Sequence, residues 1–299
     1  MGKDLAAAFP AARDVFEAID NALGVGLSKI MFEGPEDELT ATQNAQPAIL
    51  AHTAAVFAAL GAAATGAGAI GAAGHSLGEY SAYVTASALE APAAAKLVRR
   101  RGELMNKAGE ERPGMMAAIL GLATAQVEAA CHEVSRQGSV AVAANLNAPD
   151  QTVISGDPDA VARAGDACKT RGAKRVVPLK VSGAFHSPLM APAKNHLQLA
   201  LEKAPFQDPA FPVIANATAE AVKDTGRARR LLADQLTAPV RWVECMQHAA
   251  RLGGEGADVR FVEIGPGTVL AGLLKRIVPG ANVVSLGTAS EVSKFMESA

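Results

Sequence analysis

The sequence has only three cysteines among 299 residues, and their positions do not indicate a cysteine-based structure. Cys131, Cys168 and Cys245 are odd in number and widely spaced, with neither C-x-x-C pairing nor the spacing of metal ligands. This pattern argues against a disulfide framework or a zinc site. We therefore predict three reduced thiols that are mostly buried.

The sequence also lacks the excess of basic residues that accompanies binding to nucleic acid. Lys and Arg number 28 against 30 Asp and Glu, so the formal net charge is -2. A chain of this charge offers no electrostatic attraction to a phosphate backbone. We predict no nucleic-acid partner.

A third absence is that of charged side chains between residues 39 and 78. An uncharged run of this length first suggests a membrane span. However, polar residues interrupt it at Gln43, Asn44, Gln46 and His52, and glycines from Gly61 onward would break a long helix. A buried helix at 47–60, with Pro47 in its first turn, followed by a buried strand fits better. The first four residues lack the apolar core of a signal peptide. We therefore predict a cytoplasmic protein with no membrane partner.

The overall composition is that of a globular protein. Hydrophobic residues make up 49% and charged residues 19% of the sequence, which is long enough for one large domain with an insert. Helix-like and strand-like runs alternate, which favours an α/β fold with a largely parallel sheet. Residues 113–182 differ, because their order of strand, helix, strand, strand, helix and strand is that of a ferredoxin-like unit.

This order predicts two structural parts. The main domain would consist of residues 1–112 and 183–299, and the ferredoxin-like subdomain of residues 113–182 would be inserted into it. Pro113 and Gly114 mark the entry to the insert. A cleft between the two parts would be a natural place for a substrate.

The most informative motif is G-x-S-x-G at residues 74–78, centred on Ser76. It lies between an apolar run at 66–73 and a helix-like run at 79–89, the strand-turn-helix setting in which such a serine becomes a nucleophile. An ordinary tight turn is the alternative, since 28 glycines make chance matches common. The Gly66–Gly71 segment also matches a dinucleotide fingerprint, but it precedes a strand instead of following one, so we do not expect nucleotide binding there.

A nucleophilic serine needs a base, and one histidine is well placed to serve. His186 follows the last strand of the predicted insert, in a loop that a rigid scaffold could aim at Ser76. His75 adjoins the nucleophile, but its side chain should point away from the site. The other four, His52, His132, His196 and His248, fall in helix-like stretches typical of surface or packed histidines.

Four motifs together identify a family resemblance. Residues 74–80 (GHSLGEY), 101–105 (RGELM), 183–187 (GAFHS) and 265–270 (GPGTVL) resemble those of the malonyl-CoA:acyl carrier protein transacylases of fatty acid synthesis and the acyltransferase domains of polyketide synthases. The resemblance covers nearly the whole chain. It implies an α/β-hydrolase-like core with a ferredoxin-like insert, in agreement with the pattern above.

The resemblance implies specific catalytic roles. Ser76 would be the acylated nucleophile and His186 its general base. The main-chain carbonyl of Gln235 would orient the imidazole in place of the usual carboxylate, which gives a dyad instead of a triad. The backbone amide of Leu77 would form one half of the oxyanion hole.

The same resemblance implies a set of substrate-binding residues. Arg101 would hold the free carboxylate of a malonyl group by two charge-assisted hydrogen bonds, although residues 99–101 alone are typical of a solvated basic helix face. The bulky Phe185, with Leu77, would leave little room for an α-methyl branch. Gln46 and Asn147 match family residues near the serine and the cleft. Helix capping or a buried structural role remains open for Gln46, and turn chemistry for Asn147 and its neighbour Asn145.

The sequence departs from the family at its beginning. Family members start with a strand and a Phe-Pro-Gly-Gln-Gly-Ser-Gln stretch, whose first glutamine supplies the second oxyanion-hole amide. Residues 1–5 resemble the segment that normally comes after that stretch. We expect the first strand and one oxyanion donor to be missing, and we favour an internal start over a weakened protein.

The predicted reaction is a ping-pong transfer of malonyl from coenzyme A to the phosphopantetheine thiol of acyl carrier protein. It requires no metal or redox cofactor, and we expect a monomer whose partners are malonyl-CoA and the carrier protein. Two alternatives remain. A serine esterase or thioesterase would use the same turn around Ser76 but admit water. A noncatalytic carrier-binding module would form no acyl-enzyme.

Overall fold

The computed structural model describes residues 1–61, 63, 68–136, 138–254 and 256–298. The beginning of the apolar run at 66–73, including the first two residues of the Gly66–Gly71 motif, lies outside the described residues. The helices, in chain order, are α1 (Lys3–Ala8), α2 (Pro10–Leu23), α3 (Leu27–Glu33), α4 (Glu36–Thr40), α5 (Thr42–Leu60), α6 (Gly78–Thr85), α7 (Ala91–Glu111), α8 (Thr124–Val134), α9 (Pro158–Thr170), α10 (Ala191–Lys203), α11 (Thr225–Asp234), α12 (Trp242–Arg251), α13 (Val269–Ile277) and α14 (Ala289–Ser298). A short 3₁₀ helix, Pro188–Met190, precedes α10.

The uncharged stretch near the amino terminus forms α5, most of whose side chains are buried. This helix begins at Thr42, five residues before the proline expected in its first turn, so Pro47 lies inside it. Proline removes one helical hydrogen bond, and the burial of α5 offsets that loss. Among the described residues, no helix combines the length and the apolar character needed to cross a bilayer.

The main part of the molecule contains two small sheets. In the first, β1 (Ala72–Ala73) is parallel to β6 (Val213–Ile214), which pairs antiparallel with β7 (Ala221–Val222). In the second, β8 (Arg260–Ile264) is parallel to β9 (Asn282–Leu286). The sequence predicts one largely parallel sheet, whereas the described strands form two separate ones. The two sheets stay separate because no described strand pairs with the second edge of either β1 or β8.

Residues 115–178 form a separate antiparallel sheet with its own small core. Its strands are β2 (Met115–Leu120), β3 (Ala141–Ala148), β4 (Gln151–Gly156) and β5 (Arg175–Pro178), in the spatial order β3-β4-β2-β5. Helices α8 and α9 cover one face and bury side chains such as Val127 and Val161 against Ile119 and Ile154. The element order is the one expected from the sequence.

The antiparallel sheet is attached to the main part through its edge strand, β3. The backbone amide of Leu146 donates to the carbonyl of Val240, and the amide of Val240 donates to the carbonyl of Ala144. These bonds occupy edge groups of β3 that would otherwise be unpaired. They also join the small sheet to the segment between α11 and α12, which contributes to the candidate active site.

The three cysteines are free and buried, as expected from their spacing. Gly265, Pro266 and Gly267 form the turn between β8 and α13. His52, His132, His196 and His248 lie in helices, so none of them is carried on a loop.

Candidate active site

Ser76 lies on a sharp turn between β1 and α6. Its φ angle is 53°, in the left-handed region that non-glycine residues seldom adopt. The turn is so tight that a Cβ at Gly74 would lie 1.9 Å from the carbonyl oxygen of Gly78. A side chain at position 74 is therefore excluded, and the turn presents Ser76 outward at the start of α6.

His186 contacts the serine hydroxyl directly. The distance from its Nε2 to Ser76 Oγ is 2.8 Å, and its Nδ1 lies 2.9 Å from the carbonyl oxygen of Gln235. A carbonyl can only accept, so Nδ1 carries the proton and Nε2 presents its lone pair to the hydroxyl. Burial, and then the positive charge of Arg101, lower the pKa of His186 to about 3. The imidazole is therefore neutral near pH 7.

Arg101 reaches the same serine from α7. One terminal nitrogen, Nη2, donates to Ser76 Oγ at 2.9 Å and to Gln235 Oε1 at 3.0 Å, while Nη1 donates to Gln46 Oε1 at 2.6 Å. All three acceptors are neutral. The arginine is only 1% exposed, and its Nε has no hydrogen-bond partner among the described residues. Burial of such a cation destabilises the folded protein unless an anion compensates its charge.

The packing of α7 against α5 brings Arg101 to this position. A Cβ at Gly102 would lie 2.7 Å from the backbone oxygen of Thr42, so glycine permits the close approach of the two helices. Gln46 is carried on the early part of α5 and is buried at 6% exposure. Gln46 therefore has a buried side chain bonded to Arg101 and does not act as a helix cap.

Two further residues named from the sequence, Leu77 and Phe185, lie next to members of this group in the chain. The side chain of Leu77 is half-buried, and its backbone amide donates no hydrogen bond within the described part of the chain. Phe185 is half-buried and packs against both the main core and the small cluster of Met116, Ala144 and Val153 on the antiparallel sheet. It therefore lies where the two parts of the molecule meet.

Asn147 is one step further from the serine. It lies on β3, not in a turn, and its Oδ1 is 2.8 Å from Nε2 of His75. The ring of His75 also packs edge-on against Trp242. Asn147 makes no hydrogen bond to Ser76, His186 or Arg101, all of which the structure describes, and its neighbour Asn145 is buried on the same strand.

Sequence reasoning missed two buried residues behind the serine. Asn216 holds both sides of the turn, since its Oδ1 accepts from the amide of Ser76 at 2.7 Å and its Nδ2 donates to the carbonyl of Gly74 at 2.8 Å. Glu79 is completely buried on α6 and accepts from Gln235 Nε2 at 2.7 Å. The sequence signal for Glu79 is its place in the GHSLGEY motif, three positions after the serine.

A cavity of about 770 Å³ lies on the other side of the turn that carries Ser76. The strands β1 and β8 contribute to its wall, together with the apolar side chains of Phe57, Leu60 and Leu274. Within the described residues, β1 pairs only with β6, and β8 only with β9. Each therefore has one unpaired edge. No group of His, Cys, Asp and Glu suited to hold a metal ion occurs in the described part of the chain.

The chain was compared with known families and proteins. The acyl transferase domain family matches residues 1–293. The malonyl CoA-acyl carrier protein transacylase of Bacillus subtilis strain 168 is 43% identical over 277 residues, which is 93% of this chain and 86% of the relative. The corresponding Escherichia coli K12 protein is 39% identical over 294 residues, covering 98% and 93% of the two chains.

Solved structures agree with the sequence comparison. A malonyl-transacylase in complex with a type II polyketide acyl carrier protein is 39% identical, with a TM-score of 0.91 over 100% of this chain and 95% of the other. The malonyl CoA-acyl carrier protein transacylase of Coxiella burnetii is 37% identical, with a TM-score of 0.91 over 99% and 92% of the two chains. The chain therefore belongs to the acyl transferase domain family, among the malonyl CoA-acyl carrier protein transacylases.

Proposed function

We propose that this protein transfers a malonyl group from coenzyme A to the phosphopantetheine thiol of an acyl carrier protein, through an acyl-enzyme on Ser76. The observation that carries the proposal is the buried guanidinium of Arg101, which donates to the nucleophile and, among the described residues, is paired only with neutral oxygens. A substrate with a carboxylate near its reacting thioester matches this site. The names of the relatives support the same donor and acceptor.

In the first half-reaction, Ser76 Oγ attacks the thioester carbonyl and His186 Nε2 takes its proton. The carbonyl of Gln235 keeps the other proton on Nδ1, so the imidazole can accept only at Nε2. The tetrahedral intermediate then collapses, and its C–S bond breaks. The proton on Nε2 passes to the departing sulfur, and coenzyme A leaves as a thiol.

The second half-reaction reverses these steps with a different thiol. The phosphopantetheine thiol of the carrier protein gives its proton to Nε2 of His186 and attacks the malonyl ester. Collapse of the second intermediate returns the proton to Ser76 Oγ and leaves the malonyl group on the carrier. One site serves both thiols in turn, as in a ping-pong mechanism, and the steps use no metal or redox cofactor.

Arg101 links substrate choice to nucleophile activation. In the free enzyme its Nη2 occupies a lone pair of Ser76 Oγ, which makes the oxygen less available for attack. A malonyl carboxylate competes for the guanidinium by charge-assisted hydrogen bonds, which are stronger than bonds to a neutral hydroxyl. The carboxylate also offsets the charge that depresses the pKa of His186, so the bound substrate makes the base stronger. An acetyl group offers neither effect.

The oxyanion would be held by the backbone amide of Leu77. This amide has no acceptor among the described residues, whereas the neighbouring amide of Ser76 is already bonded to Asn216. Stabilisation of developing charge by such donors is commonly the largest catalytic contribution. Phe185 would limit the space beside the α-carbon of the acyl group. Gln46 would hold Arg101 in place, and Asn147 would line the cleft through its bond to His75.

The proposed architecture is an α/β-hydrolase-like core, formed by residues 1–112 and 183–299, with a ferredoxin-like subdomain at 113–182. The strand order β3-β4-β2-β5, with two helices on one face, supports the second part of this proposal. The first strand implied by the family resemblance would fit between β1 and β8. Each has an edge without a partner strand among the described residues, and these edges and the apolar cavity that both strands line support that position.

The thioesterase alternative would usually place a carboxylate on the second nitrogen of the catalytic histidine. Here that nitrogen faces the carbonyl of Gln235, which favours transfer over hydrolysis. We further propose that the enzyme works as a monomer, because Ser76, His186 and Arg101 already meet within one chain.

Intact-mass measurement after mixing with malonyl-CoA tests the proposal directly. We expect a malonyl adduct on the wild-type protein, none on Ser76→Ala, and discharge of the adduct by holo acyl carrier protein. Ser81→Ala provides a matched control, because it removes another hydroxyl from the adjoining helix α6. Release of free malonate without a carrier would indicate a thioesterase, and failure to form any adduct would indicate a noncatalytic carrier-binding protein.

A further inference from the structure

A buried carboxyl group lies directly behind the proposed site and has no role in the reaction steps above. Glu79 has an exposed fraction of 0% and belongs to no salt bridge among the described residues. Its Oε2 accepts two hydrogen bonds, from Gln235 Nε2 at 2.7 Å and from the backbone amide of Asn216 at 3.0 Å. Its Oε1 has no partner in the described part of the chain. Burial of a carboxyl group without a paired charge destabilises the folded protein, so we expect Glu79 to have a specific role.

The first partner of Glu79 connects it to the base and the cation. Gln235 presents its backbone oxygen to Nδ1 of His186 at 2.9 Å and its Oε1 to Nη2 of Arg101 at 3.0 Å. Its Nε2, besides donating to Glu79, donates to the backbone oxygen of Ser76 at 2.9 Å. Because the carboxylate only accepts, it fixes the amide of Gln235 with its nitrogen inward and its oxygen toward the guanidinium.

The second partner connects Glu79 to the nucleophile. The backbone amide of Asn216 donates to Glu79, and the side chain of the same residue bonds to both Ser76 and Gly74. Ser76 needs such support because its backbone is held in the left-handed region. Glu79 is therefore one residue removed from each of the three side chains that meet at Ser76 Oγ.

We propose that Glu79 is a positioning residue whose buried Oε2 orients Gln235 and Asn216, and through them aligns Arg101, His186 and Ser76 for malonyl transfer. This inference rests on the proposed function and adds a residue to its machinery. The acceptor atom, and not the charge, is the essential feature. Burial raises the pKa of Glu79 to about 7, against the opposing effects of its two hydrogen bonds and of the positive charge of Arg101. A proton on the unbonded Oε1 leaves both bonds to Oε2 intact.

Two substitutions distinguish the effect of the acceptor atom from the effect of side-chain volume. Glu79→Gln keeps an oxygen that can accept both bonds, and Glu79→Met fills a similar space without an acceptor. Ser81→Ala is the control, because Ser81 is also buried on α6 with a hydroxyl that has no described partner. Each variant is first titrated for the fraction of sites that form an acyl-enzyme, and kcat and KM are then measured per active site with malonyl-CoA and acetyl-CoA.

We expect Glu79→Met to lose about 10- to 100-fold in kcat per active site with malonyl-CoA, because a small misplacement of reacting groups is costly. The ratio of malonyl to acetyl kcat/KM should fall roughly 10-fold, since Arg101 loses the amide that orients it. Glu79→Gln should stay within about 3-fold of wild type, and Ser81→Ala should keep the wild-type ratio.

Several results would overturn the inference. If Glu79→Met loses only thermal stability, while its kcat per active site and its ratio of malonyl to acetyl kcat/KM are unchanged, Glu79 is merely structural. If Glu79→Gln is as impaired as Glu79→Met, the charge matters and the acceptor account is wrong. Should Glu79→Met not fold, Glu79→Asp withdraws the acceptor by one methylene, and an unchanged ratio in that variant also refutes the role. Failure of the wild-type protein to form an acyl-enzyme would instead refute the proposed function.

Discussion

Replacing Arg101 by alanine should separate malonyl transfer from acetyl transfer. In the free enzyme the guanidinium already makes three hydrogen bonds to neutral oxygens, so a malonyl carboxylate exchanges some of these bonds instead of adding two new ones. The net gain is then about that of one bond to a charged group, roughly 1.5–3 kcal/mol. At 1.36 kcal/mol per factor of ten, malonyl kcat/KM should fall about 10- to 150-fold.

Acetyl transfer should be equal or improved in the same variant. Arg101→Ala removes the donor that occupies Ser76 Oγ, and an acetyl group never bonded to that donor. The assay follows acyl transfer to holo acyl carrier protein from each thioester, per titrated active site. Arg101→Met repeats the measurement with most of the side-chain volume retained.

The control for this prediction lies on the same helix. Arg99→Ala removes a partly exposed arginine that bonds to Asn44 and pairs with Glu103, away from the serine. It should change neither activity by more than about 2-fold. A parallel loss of malonyl and acetyl transfer in Arg101→Ala would remove Arg101 from its carboxylate-binding role.

Two further predictions concern the base and the acyl pocket. Because burial and Arg101 lower the pKa of His186 to about 3, the acid limb of kcat/KM in wild type should lie well below the ordinary histidine range, and rates at pH 5.5 and pH 8 should be similar. In Arg101→Ala, measured with acetyl-CoA, loss of the nearby charge makes protonation easier, so the limb should move to higher pH; identical limbs near pH 6.5 in both proteins would contradict this electrostatic account. Phe185→Ala should raise the kcat/KM ratio of methylmalonyl-CoA to malonyl-CoA by roughly 10-fold, as expected for one added methyl group. Phe32→Ala is the control, because Phe32 lies on α3 and packs against Phe16. An unchanged ratio in Phe185→Ala would show that Phe185 does not limit the pocket.

The residues that sequence motifs identified are those whose chemistry is visible along the chain. Ser76 is indicated by the glycines that the turn requires, and His186 by its position after the insert. The structure brings both of them within hydrogen-bonding distance of each other and of Arg101 or Gln235. The element order of the small sheet was also predictable, because short strands and amphipathic helices alternate there with clear periodicity.

Other features depend on contacts that no local pattern encodes. Asn216 lies 140 positions from Ser76, and its role follows only from the way β6 pairs with β1. Glu79 is visible as a residue of the motif, but its burial, and hence its value as an acceptor, follows only from the packing around α6. The start of α5 was misplaced because proline normally marks the first turn, and tertiary packing overrode that preference.

The bonds between β3 and Val240 have a mechanical consequence. Only four residues separate Val240 from Gln235, whose carbonyl selects which nitrogen of His186 carries the proton. So short a tether cannot absorb a large shift of the small sheet without moving that carbonyl. The position of the small sheet and the orientation of the imidazole are thus coupled through a single stretch of backbone.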